Sequence, residues 1–308
     1  MPVSKLRRLL HFSLAGLALI AVVSVSVYAL ALERLTRRHE VEPDALTVPS
    51  GEEALGRGRH LVEVVAACTS CHGPDLAGRE MADDPWLGRL WASNLTPGVG
   101  GVAEWSDADL IRAVRHGVKP DATPVLMMPA QYFYHLSDAD LGSVIAYLRS
   151  LPPVDREPPG FRLGIASAFI IVSGAVPELV PADLLAEAPP RLEPPTPAAS
   201  LDYGAYLVET SGCKVCHHED LSGGLHPLAL PEEPPPSDLT PGGRVALWSE
   251  GEFVETLRTG VTPEGDQLDE EWMPWPAIGR MSDLELRAIY RYLRSIPAPE
   301  GGSVQDRA

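Results

Sequence analysis

The chain has 308 residues, 45% hydrophobic and 22% charged, which allows about two domains and excludes general disorder. Its 31 prolines and 27 glycines assign much of it to loops and connections. The net charge is −17, but residues 1–40 carry six cations against two carboxylates, which leaves −21 on residues 41–308. That balance excludes nucleic acid as a partner and favours a basic protein.

Leu9 to Leu32 is a run of 24 residues without formal charge. As a helix it rises about 36 Å, enough for a ~30 Å hydrocarbon core. A cleaved signal peptide competes, with Ala29-Leu30-Ala31 as its processing site, but the run exceeds the ~7–15 apolar residues of a signal. The reading taken is an uncleaved anchor within residues 1–40. Cations flank both ends (Lys5, Arg7 and Arg8; Arg34, Arg37 and Arg38), so charge alone does not orient it.

The rest of the chain repeats itself. Cys68, Cys71 and His72 recur at Cys213, Cys216 and His217, displaced by 145 residues, as do Met128-Pro129 at Met273-Pro274 and Tyr147-Leu148-Arg149-Ser150 at Tyr292-Leu293-Arg294-Ser295. The shift drifts by one or two between these anchors and then returns, so the distance from His to Met stays at 56 residues in both copies. Each copy is expected to contain three helices. The first runs up to the cysteines, the second follows Trp105-Ser106 or Trp248-Ser249, and the third follows Ser137-Asp138 or Ser282-Asp283. Ser106 with Asp109, Ser137 with Asp140, Ser249 with Glu252 and Ser282 with Glu285 have capping-box spacing.

The connection, 156–199, is read as a proline-rich linker. Seven prolines between Pro177 and Pro197 argue for a stiff extended segment. Within it the apolar run Leu163 to Val176 is short for a bilayer crossing and reads as packing between domains, with a membrane-surface or partner-docking role as the sharper alternative.

The four cysteines fall in two Cys-x-x-Cys-His clusters, which argues against a disulfide framework. Two thiols one helical turn apart, followed by an imidazole, can attach a haem through two thioethers while His ligates the iron. A dithiol redox motif needs no following His, and a four-cysteine zinc site explains neither the two histidines nor the fixed distance to Met. Cys68, Cys71, Cys213 and Cys216 are therefore the expected attachment points of two covalently bound haem c groups, with His72 and His217 as axial ligands. A thioether would close the far face and raise the reduction potential. Met128 and Met273 are the candidates, and the adjacent Met127 is a rival for Met128. Met81 and Met281 read as core filler. His116, His135, His218 and His226 recur in neither copy and read as surface or loop residues. Arg115 and Arg258 read as last-turn cations before a C′ glycine, with a haem-propionate contact as the alternative. Covalent haem attachment takes place outside the bacterial cytoplasm, so an inner-membrane helix with periplasmic domains is expected.

Cys-x-x-Cys-His, then Asn94-Leu95-Thr96-Pro97, Trp105-Ser106-Asp107, Met128-Pro129, Leu136-Ser137-Asp138-Ala139-Asp140-Leu141 and Tyr147 to Pro153 resemble the repeated domains of cytochrome c subunits. These serve bacterial membrane-bound alcohol, gluconate, fructose and aldehyde dehydrogenases. The resemblance implies an all-α fold with two tandem class I cytochrome c-like domains; together with the anchor read from the apolar run, the expected organisation is one N-terminal transmembrane helix, domains at 50–155 and 200–298, and a flexible tail at 299–308. Two haem units and an N-terminal anchor depart from the three units and C-terminal anchor common in those subunits. The expected function is electron transfer between a dehydrogenase or quinol and a downstream cytochrome or oxidase, with no independent catalysis. A dihaem peroxidase and a haem-based sensor or docking subunit are the alternatives.

Overall fold

The computed structural model describes residues 3–42, 44–188, 190–192, 195–225 and 234–298. The expected tail at 299–308 and His226 lie outside these residues. The chain opens with α1 (Val3–Thr36), long and apolar enough from Leu10 to cross a membrane by length and composition.

The first half contains α2 (Glu52–His60), α3 (Cys68–His72), α4 (Asp107–His116), α5 (Ala130–Phe133) and α6 (Asp138–Ser150). Helix α2 continues as a π turn, Leu61–Val65, closed by the bond from the Ala66 amide to the Leu61 carbonyl at 2.7 Å. From Gly58 to Cys68 there is one residue more than from Gly204 to Cys213, and the wider π turn absorbs it. Between α3 and α4 lies an antiparallel hairpin, β1 (Glu80–Asp84) and β2 (Gly88–Trp91).

The connection is more regular than its prolines imply. Arg162–Leu163 adds β3 to β2, and α7 (Ile165–Ser173) follows. Single helical turns then form at Pro177–Leu179, α8 (Pro181–Leu184) and Leu185–Glu187. The expectation of an extended segment fails there because Pro177 and Pro181 stand at N1, where a helix needs no amide from them and their fixed φ suits its first turn.

The second half contains α9 (Leu201–Thr210), α10 (Cys213–His217), α11 (Glu250–Thr259), α12 (Trp275–Ile278) and α13 (Asp283–Leu293). Helices α4, α11 and α13 start at complete capping boxes on Ser106, Ser249 and Ser282. At α6 the Asp140 amide bonds Ser137, but the return bond is interrupted. The Tyr206 hydroxyl of the second half accepts from the Ser137 amide at 3.1 Å and donates to Asp140 at 2.6 Å.

In each half the first and last helices cross at a glycine. A Cβ on Gly58 would overlap the Ser143 carbonyl oxygen, and one on Gly204 the Ala288 carbonyl oxygen. Leu61, Val62, Leu141 and Ile145 are buried at the first crossing, and Leu207, Val208, Leu286 and Ile289 at the second; all eight belong to one continuous core. A separate small core joins α1 to α7 through Ala31, Leu35, Ala168 and Ile171.

Candidate haem-binding sites

A left-handed residue turns the chain into each cysteine helix, Ala67 (φ 45°) before α3 and Gly212 (φ 74°) before α10. On a single helical turn the two thiols stand at i and i+3 and the imidazole at i+4, all on one side. None of the four cysteines, all among the described residues, is in a disulfide.

The histidines are fixed in the same way in both halves. His72 Nδ1 donates to the Ser93 carbonyl at 2.7 Å, and His217 Nδ1 to the Ser237 carbonyl at 2.8 Å. This bond leaves Nε2 as the lone-pair nitrogen, the arrangement a metal-binding imidazole requires. Burial pushes both imidazoles down in pKa against the weaker upward pull of the carbonyl, so both rings are neutral at pH 7. Burial also pushes the Cys68 thiol up to about 12 and raises Cys71 and Cys213.

Met128-Pro129 and Met273-Pro274 form matching tight turns. Pro129 has φ −78° and ψ 56°, Pro274 φ −74° and ψ 52°. The following amides, of Ala130 and Trp275, bond the Met128 and Met273 carbonyls at 2.7 and 2.6 Å. These are inverse γ-turns, and proline sets their central φ. Both methionines are half-buried and pack against the core. Met127 is 52% exposed, at φ 59°, with its amide bonded to the Leu179 carbonyl.

In the first half Cys68, Cys71, His72 and Met128 line one cavity of about 380 Å³, which Met127 also borders. Trp105, Leu110, Val114 and Phe133 form part of its walls; Leu90, Trp91 and Phe161 come from the hairpin and the connection. Apart from Lys119 its lining carries no charge at pH 7. Paired thiols, a lone-pair imidazole nitrogen and a thioether around an apolar space fit a haem attached through two thioethers. In the second half Cys213, Leu239, Trp248 and Met273 pack against the core in the equivalent positions.

Other expected residues resolve differently. Met281 is core, 1% exposed. Met81 instead lines the cavity: the register shift between Glu80 and Ala82 leaves it unpaired on β1, and such a bulge re-aims a side chain. Arg115 is fully buried, bonded to Asp44 at 2.7 Å, Asp138 at 2.9 Å and the Leu136 carbonyl at 2.7 Å. Arg258 bonds the Gly279 carbonyl and Asp283. Both guanidiniums thus tie the end of one helix to the start of the last helix in their half, which is the non-propionate reading. His135 is buried at 8%, not a surface residue, and His116 lies 3.4 Å from Asp44. His218 is half-buried, with Nε2 bonded to the Gly224 carbonyl. The Ser93 and Ser237 carbonyls escaped the sequence reading; their only trace was the repeated Leu-Thr-Pro two residues on.

The cytochrome C oxidase, cbb3-type, subunit III family matches residues 53–148, and the cytochrome c family matches residues 201–297. Among relatives, the chain is 28% identical to a "Diheme cytochrome c-type" protein of Cereibacter sphaeroides, over 93% of this chain and 98% of that one. It is 27% identical to "Alcohol dehydrogenase (quinone), cytochrome c subunit" of Gluconobacter oxydans, over 85% of this chain. It is 32% identical to "Fructose dehydrogenase cytochrome subunit" of Gluconobacter japonicus, over 31% of this chain. The alignments span 58% and 22% of the lengths of those two dehydrogenase subunits. With a cytochrome c domain in each half, the chain is a dihaem c-type cytochrome with two covalently bound haem c groups, similar to the cytochrome c subunits of bacterial alcohol, fructose and gluconate dehydrogenases.

Proposed function

We propose that this protein is a membrane-tethered, periplasmic electron carrier that takes single electrons from a dehydrogenase subunit or quinol and passes them to a downstream cytochrome or oxidase. Haem c supplies a one-electron Fe(III)/Fe(II) couple. Cys68 and Cys71 hold one haem, and Cys213 and Cys216 the other. His72 and His217 are the proximal ligands, and Met128 and Met273 the distal ones. The observation that carries this reading is the double construction: each half fixes a His tautomer on a backbone carbonyl and holds a half-buried Met on a proline γ-turn. Two closed iron sites suit electron transfer and leave no open position for peroxide. The exposure of Met127 supports Met128 as ligand in the first half.

A redox titration followed by visible spectra tests the assignment. Met128→His keeps six ligands, so one of the two haems is expected to lose its thioether signature. Its potential should fall by on the order of 0.1 V, a fraction of the ~0.8 V span that axial ligands cover. The other haem should be unchanged. An unaltered spectrum removes Met128 from the iron, and peroxide turnover by the reduced wild type would replace the carrier with the peroxidase reading.

A further inference from the structure

Helix α7 poses a question the haem sites do not answer. No charged residue occurs from Leu163 to Val176. Its inner face, Ala168 and Ile171, packs on Ala31 and Leu35 of α1. Its outer face nevertheless leaves Phe169 44% and Val172 38% exposed. A helix apolar on both faces calls for a second apolar cover.

The contacts with α1 locate that cover. The Tyr28 hydroxyl donates to the Leu163 carbonyl at 3.5 Å, and Arg34 Nη1 to the Ile171 carbonyl at 2.6 Å. α7 therefore runs alongside α1 in the same direction, from the level of Tyr28 to that of Arg34. From Leu9 to Tyr28 α1 rises about 30 Å, the thickness of a hydrocarbon core. If α1 crosses the bilayer, the start of α7 lies at its outer boundary.

The hairpin tip lies at the same level. The Ala166 amide bonds the Trp86 carbonyl at 3.0 Å, and the Ser167 hydroxyl bonds the Leu87 carbonyl at 2.6 Å. Asp84 accepts from the amides of Trp86 and Leu87 at 2.7 and 2.8 Å, which fixes the turn. Trp86 is 68% exposed, Leu87 46% and Phe161, two residues before Leu163, 48%. Behind the tip stands the ion pair of Arg162 with Asp83 at 2.9 Å. Aromatic side chains gathered at one level of an apolar helix, with charges behind them, have the composition of a membrane–water boundary.

We propose that Trp86, Leu87, Phe161 and the outer face of α7 form a platform that seats the first cytochrome domain on the lipid surface. The occupant is phospholipid, because the patch is continuous with the bare apolar surface of α1. The proposal rests on the reading of α1 as a membrane span. One consequence is local: Phe161 and the hairpin strands also wall the first haem cavity, so that cavity would be held close to the bilayer.

The test is photo-crosslinking of the full haem-loaded chain in phosphatidylcholine–phosphatidylglycerol vesicles. p-Benzoylphenylalanine is placed singly at positions 86, 169, 20 and 284 and the products are read by mass. Position 20 reports the span, and the exposed Leu284 of the second half is the background. A mass shift of one phospholipid is expected at 20, 86 and 169 and not at 284. Lipid adducts at 20 but none at 86 and 169 overturn the platform and leave the anchor standing. Absence at 20 as well overturns both readings. A polypeptide adduct at 86 or 169 overturns the lipid assignment in favour of a partner protein or a second copy. Positions 87 and 172 provide a second pair if either substitution lowers the yield of haem-loaded protein.

Discussion

Glu285 is the N3 residue of α13 and accepts from the Ser282 amide at 2.8 Å, while its carboxylate also accepts from His60 of the first half at 2.9 Å. Burial, at 4% exposure, pushes its pKa up. The bonds from His60 and Ser282 outweigh that and hold it at about 2 against an ordinary 4.5. A carboxyl depressed by folding contributes stability that is complete above pH 4.5 and is lost as the pH falls toward 2. We expect about 3 kcal/mol of unfolding free energy to disappear as the pH falls through that window. Glu285→Gln should be less stable at pH 7 by a similar amount, with a flatter pH profile, as read by denaturant titration at several pH values. Parallel wild-type and variant profiles would remove Glu285 as the source. At this scale the sequence exposed the side chains that carry chemistry, because Cys-x-x-Cys-His and Met-Pro are written in residue types. It concealed the Ser93 and Ser237 carbonyls, since a backbone acceptor has no residue code, and it concealed the link from Glu285 to His60 across 225 positions.

Helix starts were legible wherever a serine preceded an acid by three residues, because a capping box is a local device. Gly58 and Gly204 occupy corresponding positions of the repeat, but only their crossing explains them. On the same α2, Gly56 is exposed, and a Cβ added there would meet no atom within 4 Å, whereas Gly58 faces the Ser143 carbonyl. The two therefore predict opposite outcomes. Gly58→Ala should destabilise the protein by about 1–3 kcal/mol by forcing α2 from α6. Gly56→Ala should stabilise it by about 0.5–1 kcal/mol through helix propensity and a less flexible unfolded chain. Thermal unfolding of the two variants side by side checks this, and a loss of stability in both would deny the crossing its role. The hairpin was not legible: Glu80–Asp84 reads Glu-Met-Ala-Asp-Asp, without the alternation that marks a strand, and its place depends on β2 and the distant β3. The turns at Pro177 and Pro181 were hidden because proline, which breaks a helix interior, serves there as an N1 residue.

Across the whole molecule the two halves meet by near-equivalent positions. Asp140 receives Arg57 of its own half at 2.8 Å and Tyr206 of the other at 2.6 Å. Glu285 receives Tyr203 of its own half at 3.4 Å and His60 of the other at 2.9 Å. Arg57 and His60 correspond to Tyr203 and Tyr206, displaced by 146 like Gly58 and Gly204. The repeat itself could be read from spacing, but this pseudo-symmetric contact could not, because its corresponding residues differ in type. Charge is the other property of the whole. Residues 41–308 carry −21, and a field of that sign steers a basic partner toward encounter. Since the steering acts through solvent, salt should weaken it over a Debye length that shrinks from ~10 Å at 0.1 M to ~3 Å at 1 M. Electron exchange with a basic soluble cytochrome, followed by stopped-flow, should therefore slow by about tenfold on going from 50 to 500 mM salt. With an acidic acceptor of matched potential the rate should rise or stay flat. If both acceptors respond alike, docking is governed by apolar contact around the haem sites and the acidic surface has no part in choosing the partner.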